Sequence, residues 1–413
     1  MDQSVEEALD VQGVTEVLVQ LNDEAATSAE AGEGTERPIL ERFVPGVPTR
    51  QAPSAEAELE AGRDESLFPP EPLYLPILGV AVGYVDRDAA SSIDRLAEVQ
   101  AVYSATDPSL IRPIQSEAAE AVDELTWGLK ALRITELWDR GLTGEGVGVA
   151  HLDTGVDARH PALRGKVAGW AQIDLAGGIL PNKKPFDSED HGTHTAATIC
   201  GGTVDGLHVG VAPDARLYSA MVIEGGRGLR RVLRGLEWSL TQPVRVLSMS
   251  LGFQGFTPFL VGVMRRIRER EVLPVVALGN EGALTSRSPG NYPESLSVGA
   301  VNKQRRVAKF SSSMRFERQE DPVQPDLTAP GVGVISAIPG GRLGAMSGTS
   351  MATPHVAGVA ALLFQAADTA TVDDVESALF DTCDPLRGVS SLRQGRGLVN
   401  PVRALEELER NLV

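Results

Sequence analysis

Four stretches of this chain are apolar with little alternation: Val147-Gly-Val-Ala-His-Leu152, Arg216-Leu-Tyr-Ser-Ala-Met-Val-Ile223, Val244-Arg-Val-Leu-Ser-Met-Ser-Leu251 and Leu273-Pro-Val-Val-Ala-Leu278. A strand with one wet face alternates polar and apolar residues, because successive side chains point to opposite faces. Strands that do not alternate must be covered on both faces, which is the condition of a parallel sheet clad in helices. Helical patterns over 229–240 and 260–271 separate these strands and supply the crossovers that parallel neighbours need. The predicted class is α/β: a mostly parallel sheet with helices on both faces, preceded by a small α+β domain. Functional residues of such sheets collect beyond the carboxyl ends of strands. Asp153 and Asn280 both stand there.

The charge is unevenly placed. Residues 1–120 hold 24 Asp and Glu against 7 Arg and no Lys, whereas residues 121–413 hold 32 acidic and 31 basic side chains. This asymmetry predicts two domains, an acidic N-terminal region over 1–121 and a larger domain over 122–413. Within the first, Val14–Leu21, Leu73–Tyr84 and 101–104 read as strands and 89–99 as a helix. Residues 23–72, rich in Ala, Glu, Gly, Pro and Ser, read as a flexible insert, and 105–121 as an acidic linker. The acidic balance argues against nucleic acid as a partner, and no apolar run is long enough to cross a membrane. The first residues carry neither the basic nor the apolar part of a secretory leader, so a cytoplasmic location is expected. Two cysteines, Cys200 and Cys383, imply no disulfide framework.

Chemistry enters with four segments. Ser350 stands where the Gly-rich stretch Pro339-Gly-Gly-Arg-Leu-Gly344 turns into an apolar helical pattern from Met351 to about residue 367, with Pro354 expected in the first turn. Taken alone, Ser350 or Thr349 is an N-cap. Asp153 alone is a turn former, Asn280 a Gly-Asn turn, and His191 a packed residue opening His191-Gly-Thr-His-Thr-Ala-Ala-Thr-Ile-Cys200. Together they are what nucleophilic acyl transfer requires. A serine hydroxyl needs a base, the base must be a His held in one tautomer by a carboxylate, and the developing oxyanion needs donors. Gly144, Gly146 and Gly148 precede their strand, so they are not a dinucleotide fingerprint. His191-x-x-His194 beside Glu189 and Asp190 lacks a third metal ligand placed by sequence.

With these residues in view the chain resembles the subtilisin-like serine proteases, or subtilases, over about residues 122–405. The segments that carry the resemblance are Val149-Ala-His-Leu-Asp-Thr-Gly-Val-Asp157, His191-Gly-Thr-His-Thr-Ala196, Gly210-Val-Ala-Pro213, Met249-Ser-Leu-Gly252, Ala277-Leu-Gly-Asn-Glu-Gly282, Ala329-Pro-Gly331 and Gly348-Thr-Ser-Met-Ala-Thr-Pro-His-Val-Ala-Gly358. The chain order Asp, His, Ser is that of subtilases. The resemblance implies that Asp153 orients, His191 is base then acid, Ser350 is the nucleophile, and Asn280 with the Ser350 backbone N–H serves the oxyanion. It also implies that Gly225, Gly226, Gly228, Ser250, Leu251, Gly252, Ala277, Leu278 and Gly279 bind an extended protein or peptide substrate.

Departures from the family pattern carry further expectations. A tight calcium site of subtilases uses an Asp after the His-Pro that follows the catalytic Asp, and a side chain after the catalytic-His helix. Here Ala162 and Val204 stand at those places, so this calcium site is expected to be lost and no cofactor is required, with other calcium sites left open. Arg227, Arg230, Arg231 and Arg234 fall on the expected cleft wall, either as a solvated helix face or as a preference for acidic substrate residues. His160, His194 and His355 read as packed residues. The N-terminal region is similar in order and size to subtilase propeptides, which implies an intramolecular inhibitor cleaved between about Ile111 and Thr126. Its alternative is a docking module that stays attached.

Overall fold

The computed structural model describes residues 1–32, 34, 37–45, 70–121, 123–224 and 228–412. They form two compact units. The first gathers Met1–Asp107 with Asp174–Ile179 and Gly225–Glu237; the second holds Pro108–Ile173, Leu180–Glu224 and Trp238–Val413.

The first unit is built on an antiparallel sheet of β1 (Thr15–Leu21), β2 (Leu73–Leu75), β3 (Val80–Val85) and β4 (Val99–Ser104), in the order β2-β3-β1-β4. Helices α1 (Gln3–Gln12) and α3 (Arg87–Asp94) pack on its strands. Helix α1 was not legible, although Asp2 caps it by accepting from Ser4 N and Val5 and Leu9 bury one face at i, i+4. The stretch read as one strand over Leu73–Tyr84 is two, separated by a turn in which Gly79 N–H donates to Pro76 O.

The expectation of a flexible insert from residue 23 is corrected at its start. Asp23–Glu30 is a helix, α2, capped by Asn22, whose side chain accepts from Ala25 N–H at 2.9 Å. Ala25, Ala26 and Ala29 are buried and form its contact face, a stripe so small-sided that it reads as low complexity. Ile39, in the short helix Arg37–Leu40, is fully buried in the same core. Most of the remaining insert, residues 46–69, lies outside the described residues.

The Leu229–Ser239 helix enters this unit through polar contacts. Asp107 caps it, accepting from Gly228 N–H at 2.8 Å and Leu229 N–H at 3.0 Å. Glu237 accepts from Ile77 and Leu78 N–H at 3.1 and 3.0 Å. Arg230, 3% exposed, pairs with Glu16 at 2.7 Å and donates to Glu71 O. Arg234 donates to Gly177 O at 2.8 Å. Arg230 and Arg231 are buried, so a solvated face does not describe them; Arg227 lies outside the described residues.

The second unit carries a seven-stranded sheet in which every pairing is parallel. Its strands are β7 (Gly148–Asp153), β8 (Val167–Gln172), β9 (Arg216–Met221), β10 (Val246–Met249), β12 (Leu273–Ala277), β13 (Leu296–Val301) and β14 (Leu327–Pro330), ordered β14-β13-β12-β10-β7-β9-β8. Strands β7, β10, β12 and β13 are buried at every position, as unalternating strands require. Helices α4 (His191–Cys200), α5 (Val261–Glu269), α6 (Thr349–Ala366) and α7 (Pro401–Asn411) surround it, with α6 against β10, β12, β13, β14 and α4. The chain leaves β7 towards β8 and β9 on one side and returns to β10 on the other. The end of β7 is therefore a topological switch point, and Asp153 occupies it.

Residues 105–121 are not a linker. Within this unit β5 (Ser109–Leu110) pairs antiparallel with β11 (Leu251–Gln254), and β6 (Gln115–Ala119) pairs antiparallel with β16 (Arg342–Ser347), which itself pairs with β15 (Val334–Ile338). The acidic composition hid strands whose side chains are mostly exposed and whose hold is through the backbone. Cys200 and Cys383 are both free and buried, and burial pushes each thiol up to about 12.

Ile39→Ala should lower the stability of the full-length chain by about 2–5 kcal/mol, the usual cost of emptying a filled core position. The measure is the urea midpoint of the first unit. An unchanged midpoint would return residues 37–45 to the insert.

Candidate active site

Asp153 ends β7 with 1% exposure. Its Oδ1 accepts from the Thr154 backbone N–H and from His191 Nδ1–H, both at 2.7 Å, and its Oδ2 accepts from the Thr195 hydroxyl at 3.0 Å. Burial raises the carboxyl pKa, but the charge and hydrogen bond of His191, together with His151 and the Thr154 N–H, hold it below its ordinary value. For His191, burial works against the charged ring. The field of Asp153 and its hydrogen bond outweigh that, with Asp187 and Glu189 adding, and the imidazole sits above its ordinary value.

This pairing fixes the tautomer. With Nδ1–H committed to Asp153, the proton-accepting nitrogen of neutral His191 is Nε2. That atom is buried and has no hydrogen-bond partner among the described residues. The ring is held there by a second carboxylate. Asp187 accepts from the Thr154 hydroxyl at 2.7 Å and from the N–H and hydroxyl of Thr193 at 2.6 and 2.7 Å. It thereby ties the turn after β7 to the first turn of α4. The approach is so close that a Cβ on Gly192 would stand 2.1 Å from Gly155 O, so only glycine fits.

Ser350 is the second residue of α6 and is fully buried. Pro354 was expected in the first turn; the helix begins at Thr349 and Pro354 is inside it. A proline there cannot donate to the carbonyl four residues back, which is that of Ser350. The Ser250 hydroxyl donates to this carbonyl instead, at 3.2 Å. Asn280 follows β12 past Gly279, whose φ of +125° calls for glycine. Its Oδ1 accepts from the Thr349 N–H at 2.8 Å and hydroxyl at 3.0 Å, leaving Nδ2 as the outward donor.

Both groups meet one short segment. The Ser350 hydroxyl donates to Ile111 O at 2.6 Å, and Asn280 Nδ2 donates to Arg112 O at 2.9 Å. Ile111 N–H donates to Ser250 O at 3.1 Å and Ile114 N–H to Ser347 O at 2.7 Å. Upstream, Ser109 and Leu110 face Gly252 and Leu251. A Cβ on Gly252 would stand 2.4 Å from Ser288 O, so this edge is kept bare where β11 and the cis-linked Ser288 strand approach. The Arg112 guanidinium pairs with both oxygens of Glu189, at 2.7 and 3.0 Å. Residues 109–119 thus run extended past Ser350, between β11 on one side and β16 on the other.

Of the other residues singled out by sequence, Ala277 and Leu278 are fully buried, and Gly279 N–H donates to the Thr349 hydroxyl at 3.3 Å. Gly228 belongs to the first unit, where its N–H is capped by Asp107; Gly225 and Gly226 lie outside the described residues. His160, His194 and His355 each have a ring nitrogen on a backbone carbonyl, of Arg342, Val334 and Met351 respectively. Ala162 and Val204 present buried hydrocarbon.

The sequence from 144 to 397 matches the sequence model of the Subtilase family. The chain belongs to the subtilase family. This subtilase is 35% identical to subtilisin E of Bacillus subtilis (strain 168) over 302 residues, spanning 71% of this chain and 75% of that protein. It is 35% identical to an intracellular serine protease of Paenibacillus polymyxa over 304 residues, 70% of this chain and 89% of that one. With bacillopeptidase F of Bacillus subtilis it shares 28% identity over 375 residues, 80% of this chain but 26% of the larger protein. It is a serine endopeptidase. Sequence reasoning missed His151, whose signal was a lone imidazole in an otherwise apolar strand, two residues before Asp153 and so on the same face.

In the Ser350→Ala protein, the His191 ring followed by NMR should titrate above the ordinary imidazole value. Adding Asp153→Asn removes the charge that opposes burial, so the titration should then move to lower pH. A midpoint that stays put would show that Asp153 does not set the charge of this ring.

Proposed function

We propose that Asp153, His191 and Ser350 form the catalytic triad of this endopeptidase, and that Asn280 donates to the oxyanion. The observation that carries this reading is the convergence of the Ser350 hydroxyl and the Asn280 amide on adjacent carbonyls of one extended segment. With it goes an imidazole oriented by a carboxylate, whose Nε2 has no hydrogen-bond partner among the described residues. A substrate strand pairs with Ser250, Leu251 and Gly252 as β5 does, and Ala277 and Gly279, on the segment leading to Asn280, line the pocket for its side chain. The Ser350 oxygen adds to the scissile carbonyl carbon while its proton passes to His191 Nε2. Asp153 stabilises the imidazolium, and the carbonyl oxygen, now negative, takes the Asn280 Nδ2–H. His191 returns the proton to the departing amine, leaving an acyl ester on Ser350. Water, deprotonated by the same imidazole, hydrolyses that ester.

The N-terminal region acts, on this reading, as an intramolecular inhibitor. Residues 109–119 occupy the path a substrate would take. Their contacts are divided between two carbonyls: the hydroxyl is on Ile111 O, while the amide donor is on Arg112 O. Reaction requires both at one carbonyl, the nucleophile on carbon and the donor on oxygen. The hydroxyl proton is also directed to Ile111 O and away from His191. The segment is released by self-cleavage between Ile111 and Thr126. The Arg230–Glu16 pair and the Glu237 bonds to Ile77 and Leu78 support a folded role for the residues upstream. The relative named as an intracellular serine protease supports action inside the cell.

A fluorophosphonate reagent should label Ser350 in the processed wild type, and mass spectrometry should find the wild type shortened to a start within 112–126. The Ser350→Ala protein should remain full length and unlabelled. Labelling elsewhere would overturn the triad, and shortening of the purified Ser350→Ala protein would overturn self-processing.

We assign no calcium to the position flanked by Ala162 and Val204, since neither side chain has an oxygen to offer. On the further reading that the processed enzyme requires no cation elsewhere, a chelator should leave its thermal midpoint unchanged, because only a ligand bound to the native state raises it. A drop in the midpoint would place a structural cation in this chain.

A further inference from the structure

The strand that delivers Asp153 carries a second imidazole that the mechanism above does not use. His151 is 1% exposed, and the ladder sets it opposite Ser219 of β9. Burying an imidazole among Val149, Ala150 and Leu152 is unfavourable unless both nitrogens are satisfied. Both are: Nδ1 meets the Ser219 hydroxyl at 3.0 Å and Nε2 meets the Thr195 hydroxyl at 2.9 Å. Thr195 is the same residue whose hydroxyl donates to Asp153 Oδ2.

The directions of these bonds follow from counting protons. Thr195 has one hydroxyl proton, and the acceptors within reach are Asp153 Oδ2 at 3.0 Å, the carbonyls of His191 and Gly192, both at 3.1 Å, and, in the other tautomer, His151 Nε2 at 2.9 Å. The carboxylate is the charged and therefore the preferred acceptor. The hydroxyl oxygen must then accept from His151, which makes His151 the Nε2–H tautomer and leaves Nδ1 to accept from Ser219. Burial pushes the His151 pKa down to about 4, against the pull of Asp153, so the ring is neutral and one nitrogen is bare, as this order requires. The result is a chain in which every hydrogen points the same way: Ser219 to His151, His151 to Thr195, Thr195 to Asp153. Such chains strengthen each bond by polarising the next.

Asp153 Oδ1 is fixed by two donors, but among the described residues Oδ2 has Thr195 alone at hydrogen-bond distance, with His151 Nε2 at 3.6 Å. We infer that His151 is a positioning residue of this protease: through the Thr195 hydroxyl it fixes the second oxygen of Asp153, and with it the orientation of His191. This rests on the triad reading above. The ring would drive the Thr195 proton towards Asp153 and away from the helix carbonyls, so that the carboxylate cannot turn as His191 gains and loses its proton.

The test is a double-mutant cycle of His151→Val and Thr195→Val in the processed enzyme, with rates per titrated active site so that misfolded molecules do not count. Either single change should lower kcat about tenfold, the scale of one charged hydrogen bond, with KM unchanged. It should also raise the acid limb of the kcat/KM profile, because a carboxylate with one donor fewer holds the His191 proton more tightly. The double variant should be no worse than either single one. His151→Gln, which keeps an N–H near the Nε2 position, should recover part of the loss. Additive losses, an unmoved acid limb, or a Gln variant no better than Val would each overturn the inference. Failure of the fluorophosphonate to label wild-type Ser350 would overturn the triad reading as well, whereas normal labelling with unaffected variants would overturn this inference alone.

Discussion

The Asp153 carboxylate is an ion at the closed end of a strand buried at all six of its positions. An unpaired ion there would cost several kcal/mol in lost hydration. The surroundings are organised to meet that cost. A backbone N–H, an imidazole N–H and a hydroxyl converge on its two oxygens, each charge-assisted bond contributing about 1.5–3 kcal/mol. Meeting the requirement constrains distant stretches of chain. The Thr154 turn must lie against residues 187–193, so Gly155 and Gly192 can bear no side chain. Asp187 must then be satisfied in turn, which Thr154 and Thr193 accomplish. Helix α4 is positioned by this sequence of obligations, and His191 is presented at its first residue.

The segment across the site obeys a different economy. Its ion pair, Arg112 with Glu189, is 67% and 37% exposed at the two side chains, and exposed pairs contribute about 0–1 kcal/mol. Most of the hold lies in main-chain bonds: two residues of β5, Ile111 and Ile114 N–H, and five residues of β6. Each bond is modest, about 0.5–1.5 kcal/mol, but none depends on side-chain identity. Strand addition at β11 and β16 therefore holds residues 109–119 whatever side chains they carry.

What could be read in advance followed from the same physics. Strands β7, β9, β10 and β12 announced themselves because burial on both faces forbids alternation, and with them the places of Asp153 and Asn280 at their carboxyl ends. Ser350, His191 and their order came through motif residues whose spacing a fold of this kind preserves. Other features were out of reach. Helix α2 hides its contact face in alanines. Strand β6 is written in exposed Gln, Ser, Glu and Ala, with a hold in its backbone that composition does not record. Pro354 lies beyond the first turn because the helix begins two residues earlier than its apolar pattern, and its place there depends on a distant hydroxyl: Ser250 caps the carbonyl that a proline leaves unbonded. Arg230 likewise looked like a solvent-facing charge until Glu16, more than two hundred positions earlier, met it.

On the proposed mechanism, little separates the resting arrangement from the reactive one. His191 Nε2 is already bare and the ring already oriented. The Asn280 amide is already aimed, because Thr349 holds its carbonyl end by two bonds. No helix must move and no charge must be buried anew, which is what preorganisation means in energetic terms. The missing element is coincidence. The hydroxyl and the amide address neighbouring carbonyls, one peptide unit apart, and the hydroxyl proton is engaged by the first. A substrate that brings a single carbonyl under both groups turns that proton towards the imidazole, and the same side chains that hold residues 111 and 112 become a catalyst.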